Sequence, residues 1–492
     1  MLVVTLFTRF RQALVAVSLA ALAACGQTVP PDTVTATAAL PSLTASAPPR
    51  ASAPPILTTP SSPQTPEQPA ESSSSDSSSS QTGSSQTGAE PPAPSAASGV
   101  RPWGVVTQAD IDLAASAVAA MAPDQKAGAV IMASSADVVG KNTVADLGLG
   151  GVIMMGSKGI VDGTDSGSPA EVASVIDAAA SQVADPAFPL LVGIDQEYGD
   201  VTRLRYGFTK LPGASELGAI RDLPVAARVT EQVAAIAGAE MAAVGVNIDF
   251  APVSDVLPQS GSSSIGDRSY GRDPARVAAL VVAAVRGFQS AGVAATLKHF
   301  PGIGELAADT HDTLPTVEAT CAQWNAEASV PIRAGIDAGV SLVMTGHTRF
   351  PAIGVNGEPT SISPIALTDL LRGNTSTQTL GGCEPLNFTG LTISDSLQMV
   401  PISGTYSPGD AAWRALAAGE DMLLMPSDPR AAVAGIVAAV ADGSLASSRL
   451  DEAAIRVLAL RSALHRTPRP SMDVIDSVGH NKVAQAAWDT IG

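Results

Sequence analysis

Between Val100 and Leu464 one alternation recurs eight times: a short apolar run of strand length, followed by an alanine-rich stretch of helical character. The runs are AGAVIMA from Ala127, GGVIMM from Gly150, PLLVGID from Pro189, VNIDFAPV from Val246, VAATLKHF from Val293, VSLVMTGH from Val340, LTISDS from Leu391 and DMLLMP from Asp421. Most are continuously apolar, as strands covered on both faces must be. Helix starts are marked between them: Ser168-Pro169-Ala170-Glu171 has the form of a capping box with proline in the first turn, and Asp273-Pro274 opens another helix. Eight consecutive βα units predict an α/β fold, a closed (β/α)8 barrel of the TIM type, with a doubly wound open sheet as the competing arrangement. The barrel domain is expected over residues 100–492, ending in a helical tail.

The first hundred residues have a different character. Arg9 and Arg11 precede an apolar run from Ala13 to Ala24 that is too short to span a bilayer, so residues 1–24 read as an export signal. Leu22-Ala23-Ala24-Cys25 resembles a bacterial lipobox, which implies lipidation of Cys25 and anchoring to the outer side of the cell membrane. An ordinary cleaved signal with a chance cysteine is the other reading. Residues 25–99 are Ser, Pro, Thr, Ala and Gln with few large apolar groups, a composition that predicts a disordered tether. With Cys25 given to lipid, Cys321 and Cys383 remain of the three cysteines, either as a disulfide in an oxidising compartment or as two buried thiols. Acidic residues number 46 against 28 basic ones, a net charge of −18 with no basic stripe, so nucleic acid is excluded as an expected partner.

In such a barrel the chemistry lies at the carboxyl ends of the strands. Asp195, Gln196 and Glu197 close the third run, Asp249 and Asp255 lie in and after the fourth, and Lys298 with His299 ends the fifth. His347 ends the sixth and Asp395 the seventh; His347 either lines the pocket or is hydrogen-bonded in the core. No HExxH or comparable ligand spacing is present, and GVIMMGSKG is no nucleotide fingerprint, so neither a metal nor a cofactor is expected.

KHFPGIGELAADTH, from Lys298 to His311, resembles the signature of glycoside hydrolase family 3 in its single-barrel β-N-acetylglucosaminidase branch. IDQEYGDVTRLR from Ile194, APVSDV from Ala251 with IGDRSYG from Ile265, and ISDSLQM from Ile393 resemble further segments of that family, in the same order. The resemblance implies a retaining hydrolase of terminal β-linked N-acetylglucosamine, with Asp395 as nucleophile, His311 as acid/base and Asp309 orienting it. It also implies that Asp195, Arg203, Arg268, Lys298 and His299 grip the sugar. Cell-wall fragments are the implied substrate, and phosphate in place of water as acceptor stays open. Three positions depart from the pattern. Ile303 replaces a second histidine, and Tyr198 and Asp200 replace a glycine and an arginine, which puts specificity in question. A β-glucosidase of the same family and a catalytically silent wall-binding lipoprotein are the competing readings. SVGHNKVAQAAWDTIG, from Ser477, resembles the linker helix that leads to a second domain in larger members, so the site is expected to be completed by barrel loops alone or by a partner molecule.

Overall fold

The computed structural model describes residues 100–158 and 160–492. The signal segment 1–24, Cys25 and the tether 25–99 lie outside the described residues. Eight strands form one parallel sheet: β1 (Ile131–Ser134), β2 (Gly151–Met154), β3 (Leu191–Ile194), β4 (Ile248–Asp249), β5 (Ala294–Phe300), β6 (Leu342–Thr345), β7 (Leu391–Ser394) and β8 (Leu423–Leu424). Each pairs with its neighbour in sequence, and β1 pairs back to β8. Ile393 bridges Met422 in the same parallel sense, which closes the ring between β7 and β8. The strands are buried on both faces, and this is why they read as unbroken apolar runs.

Two local expectations are corrected. The first apolar run does not begin a strand at Ala127, because Pro123–Ala129 is helical, with proline at its first position, and β1 starts only at Ile131. An apolar run of this length fits either element, and the helix formers on its amino-terminal side decide the outcome. The helix Pro169–Ala180 starts where expected, but Ser168 makes no side-chain cap; Glu171 reaches past it to accept from the N–H and hydroxyl of Ser166, at 2.9 and 2.8 Å. The Asp273 start is as read, its carboxylate accepting from the Ala275 N–H at 3.0 Å.

Cys321 and Cys383 are joined, with Cα atoms 4.5 Å apart, so the start of the helix Cys321–Ala326 is tied to the segment that leads into β7. Helices Pro429–Asp442 and Ser447–His465 complete the outer ring, and the tail helix Val478–Ile491 returns to the barrel. Its docking is specific: the His480 ring meets Glu240 at 2.8 Å, and the Trp488 indole donates to the Lys210 carbonyl at 3.1 Å.

Glu420, just ahead of β8, is fully buried, accepting from the Thr345 hydroxyl while its second oxygen has no partner among the described residues. Burial, reinforced by the nearby charge of Asp421, pushes it up to about 8. Between its ordinary value and 8 the unfolded chain is ionised at this position while the folded chain keeps its proton. Its contribution to stability is therefore whole at low pH and is lost as pH rises through that window, at up to about 1.4 kcal/mol per pH unit. Glu420→Gln is expected to flatten the fall in urea midpoint between pH 5 and pH 8; an unchanged slope would exclude the buried proton.

Candidate active site

The eight side chains singled out for catalysis and sugar binding come from different strand ends and loops, yet all of them line one cavity of about 450 Å³. Asp195 follows β3, Lys298 and His299 belong to β5, and Asp395 follows β7, while Arg203, Arg268, Asp309 and His311 reach in from loops. Successive residues of a regular strand face opposite sides, so Lys298 and His299 should not both point inward. Here the pairing of β5 with β6 slips: Leu297 lies opposite Val343 but Phe300 opposite Thr345, so one extra residue is accommodated and both side chains face the cavity. The glycines of the motif have steric work. A Cβ on Gly304 would come within 2.1 Å of the Val256 carbonyl, and Gly302 has φ +116°.

On one wall, carboxylates and cations interlock. Lys298 Nζ lies 2.8 Å from Asp195 and 2.5 Å from Glu197, and Arg268 donates two bonds to Glu197, at 2.7 and 2.8 Å. Arg203 approaches Asp195 at 3.8 Å. Burial would raise Glu197, but Lys298 and Arg268 outweigh it and hold the carboxyl at about 2. Lys298 is held above its usual range, since the attraction of Asp195 and Glu197 exceeds the effect of burial. The buried Asp249 is driven the other way, its carboxyl pushed up chiefly by burial. Gln196 shapes the loop that carries Arg203, accepting from the Arg203 and Leu204 N–H groups at 2.8 and 2.9 Å. Sequence reasoning placed Glu197 at the strand end without giving it a role; the signal was its position two residues after Asp195. Glu197→Ala would leave Lys298 buried against a single carboxylate and Arg268 without its partner. It is expected to cost about 3–5 kcal/mol in urea unfolding; a loss below about 1 kcal/mol would contradict the interlocked wall.

In the same cavity, Asp395 is oriented by its own backbone and the next: its N–H donates to the Thr345 carbonyl at 2.8 Å, and the Ser396 N–H donates to its carboxylate at 2.7 Å. Burial pushes this carboxyl up, yet His299, His347, the Ser396 N–H and Lys298 together bring it below the ordinary aspartate value. An ionised carboxylate in a confined cavity is what attack on an electrophilic carbon needs. His299 is turned into the cavity by Asp255, whose carboxylate takes the ring Nδ1 at 2.8 Å and the Ile303 N–H at 2.7 Å. His347 is fully buried, and burial holds its ring below the usual range. Its Nε2 meets the Ser396 carbonyl at 3.0 Å and its Nδ1 the Ser361 hydroxyl at 2.7 Å, so it is a core hydrogen-bonding residue that fixes the neighbour of Asp395.

His311 lies on the loop after β5, two-thirds exposed, with Nδ1 2.7 Å from Asp309 and its N–H on the same oxygen at 2.9 Å. Those bonds hold Asp309 below the usual carboxylate range. Nε2 has no protein partner among the described residues, so the dyad presents one free ring nitrogen. The Val400 N–H donates to the His311 carbonyl at 3.0 Å and ties this loop to the one after Asp395. Of the three departures, only Ile303 faces the cavity. Tyr198 takes the glycine-like backbone itself, at φ +63°, and Asp200 is exposed, away from the cavity lining. Among the described residues no group of three or more His, Cys, Asp or Glu side chains is arranged to hold a metal ion, and no helix is long and apolar enough to cross a membrane.

Residues 123–460 match the glycosyl hydrolase family 3 N-terminal domain. A β-hexosaminidase of Nitrosospira multiformis is 38% identical over 246 residues, 50% of this chain and 66% of that protein. One of Chromobacterium violaceum is 36% identical over 251 residues, 51% of this chain and again 66% of the relative. The chain thus spans just under two thirds of the length of these curated relatives. Among solved structures, a glycoside hydrolase family 3 β-N-acetylglucosaminidase from Paenibacillus sp. str. FPU-7 superposes with TM-score 0.66 at 33% identity, covering 75% of this chain and 69% of that one. A β-N-acetylhexosaminidase from Beutenbergia cavernae gives 0.58 at 30%, covering 69% and 98%.

Proposed function

Because the chain belongs to glycosyl hydrolase family 3, we propose that it is a retaining exo-β-N-acetylglucosaminidase that removes terminal β-linked N-acetylglucosamine. The observation that carries the reading is the single cavity that joins an ionised Asp395, the exposed Asp309–His311 dyad and the Lys298–Asp195–Glu197–Arg268 wall. Asp395 attacks the anomeric carbon while His311 protonates the departing oxygen; the same imidazole then takes a proton from the water that releases the sugar. Asp309 fixes the ring through Nδ1 and balances the imidazolium, leaving Nε2 for the proton transfers. The cations and carboxylates of the wall bind ring hydroxyls, and fixed dipoles and charges of this kind strengthen as an oxocarbenium-like transition state develops. Acetamido specificity is supported by the names of the relatives and by the Asp-Thr-His dyad.

Purified full chain is expected to hydrolyse a chromogenic β-N-acetylglucosaminide at least tenfold faster than the matching β-glucoside. Equal or reversed preference would end the acetamido assignment, and silence towards both would favour the scaffold reading. We also propose that the protein is exported, lipid-anchored through Cys25 and directed at cell-wall fragments. The lipobox-like tetrapeptide and the Cys321–Cys383 disulfide, a bond that persists in oxidising compartments, support this. Incorporation of labelled palmitate that survives Cys25→Ala would sink the anchor.

A further inference from the structure

At the opposite end of the barrel, where the strands begin, lies a second cavity of about 570 Å³. Asp421 enters it just ahead of β8, Arg372 from the segment that leads towards β7, and Arg449 and Arg456 from the helix Ser447–His465, with Arg101 at the rim. Asp421 is fully buried and receives Arg372 at 2.5 Å, Arg449 at 2.7 Å and Arg456 at 3.5 Å; Glu452 takes Arg449 at 3.2 Å and Arg456 at 2.5 Å. Four arginines against these two carboxylates leave a balance of four minus two, an excess of two positive charges, in a chain whose net charge is −18.

An ion-pair network that closes the bottom of the barrel accounts for part of this. Arg372 is used up on the Phe388 and Gly390 carbonyls and Asp421, and Arg449 on the Leu416 and Glu420 carbonyls and its two acids. Arg456 is different. It is only 6% exposed, its contacts run through Nη1, and its Nε is buried with no acceptor among the described residues. A buried guanidinium N–H without a partner is costly. Crowding of like charge shows in Arg372, which burial first, and then Arg456 and Arg449, bring down to about 10 against the pull of Asp421. The missing negative charge would be supplied by an anion in the cleft.

We propose that this cleft binds a phosphoryl dianion, with Arg456 as its floor and Arg101 at its mouth. Guanidinium forks match phosphate oxygens geometrically, and two negative charges match the excess of two. Free phosphate and the terminal phosphate of a monoester share this chemistry.

The test is thermal unfolding of the full chain in inorganic phosphate, phenyl phosphate, acetate and chloride at equal ionic strength. The midpoint is expected to rise with the logarithm of phosphate concentration beyond the chloride control. An equal response to phenyl phosphate identifies a monoester site, and a response to inorganic phosphate alone identifies a free-anion site. Arg101→Ala is expected to raise the half-saturating concentration at least fivefold and Arg456→Lys at least tenfold. Both positions are remote from the catalytic cavity, so a phosphate effect arising there would survive in both variants and overturn the proposal. A phosphate curve that overlays chloride or acetate would do the same. Should Arg456→Lys fail to fold, Arg101→Ala decides alone, since Arg101 is exposed and makes no hydrogen bond among the described residues.

Discussion

Replacing Asp395 with alanine is expected to lower kcat/KM on a chromogenic N-acetylglucosaminide by about four orders of magnitude or more, a loss of at least about 5.5 kcal/mol of transition-state stabilisation. The size follows from the absence of a substitute. The other carboxylates lining the cavity are engaged: Asp195 and Glu197 with Lys298, Arg203 and Arg268, and Asp309 with His311. None is free to attack from the face that Asp395 occupies. Asp395→Asn is the folding control, because an amide oxygen can still accept from the Ser396 N–H. It should lose the same activity with an unfolding midpoint close to that of the parent chain. Retention of configuration in the first-formed sugar, read by proton NMR, checks the covalent route independently; an inverted product would remove Asp395 from the nucleophile role.

The second large effect belongs to His311. His311→Ala is expected to reduce kcat/KM by about two to four orders of magnitude on a natural-type aglycone, and by tenfold or less on an activated phenolic one that leaves without a proton. The two residues should therefore separate by substrate: Asp395 matters for both leaving groups, His311 mainly for the poor one. Because the ring is two-thirds exposed and bonded, among the described residues, only to Asp309, folding stability should stay within about 0.5 kcal/mol of the parent. A loss of activity that tracked a loss of stability would point to a structural loop residue instead.

Most of the barrel is legible in the sequence. Strands buried on both faces must be apolar without interruption, and eight such runs, each followed by a helical stretch, leave few arrangements besides a closed ring. The one misplaced start, at Ala127, fell where helix formers and strand formers adjoin and periodicity has nothing to decide with. The residues proposed for catalysis were legible as candidates for a similar reason. Motifs at strand ends carry their chemistry in residue type and spacing, and Asp309 and His311 are close enough in the chain for their pairing to be local.

Other features depend on residues far apart in the chain. That Cys321 and Cys383 meet follows from their Cα atoms lying 4.5 Å apart, which a spacing of 62 residues cannot reveal. That His347 serves the core follows from Ser361 and the Ser396 carbonyl, 14 and 49 residues away. That Glu197 anchors two cations follows from Lys298 and Arg268, brought beside it by β5 and by the loop after β4. Of the departures from the family pattern, sequence alone treated Ile303, Tyr198 and Asp200 alike, and only their placement separates the one in the cavity from the two outside it. The sequence by itself determined the periodic code of the ring and the kinds of side chain at its rim. Tertiary structure decided which buried charges neutralise one another, because that balance is set by through-space distance and burial, neither of which is written along the chain.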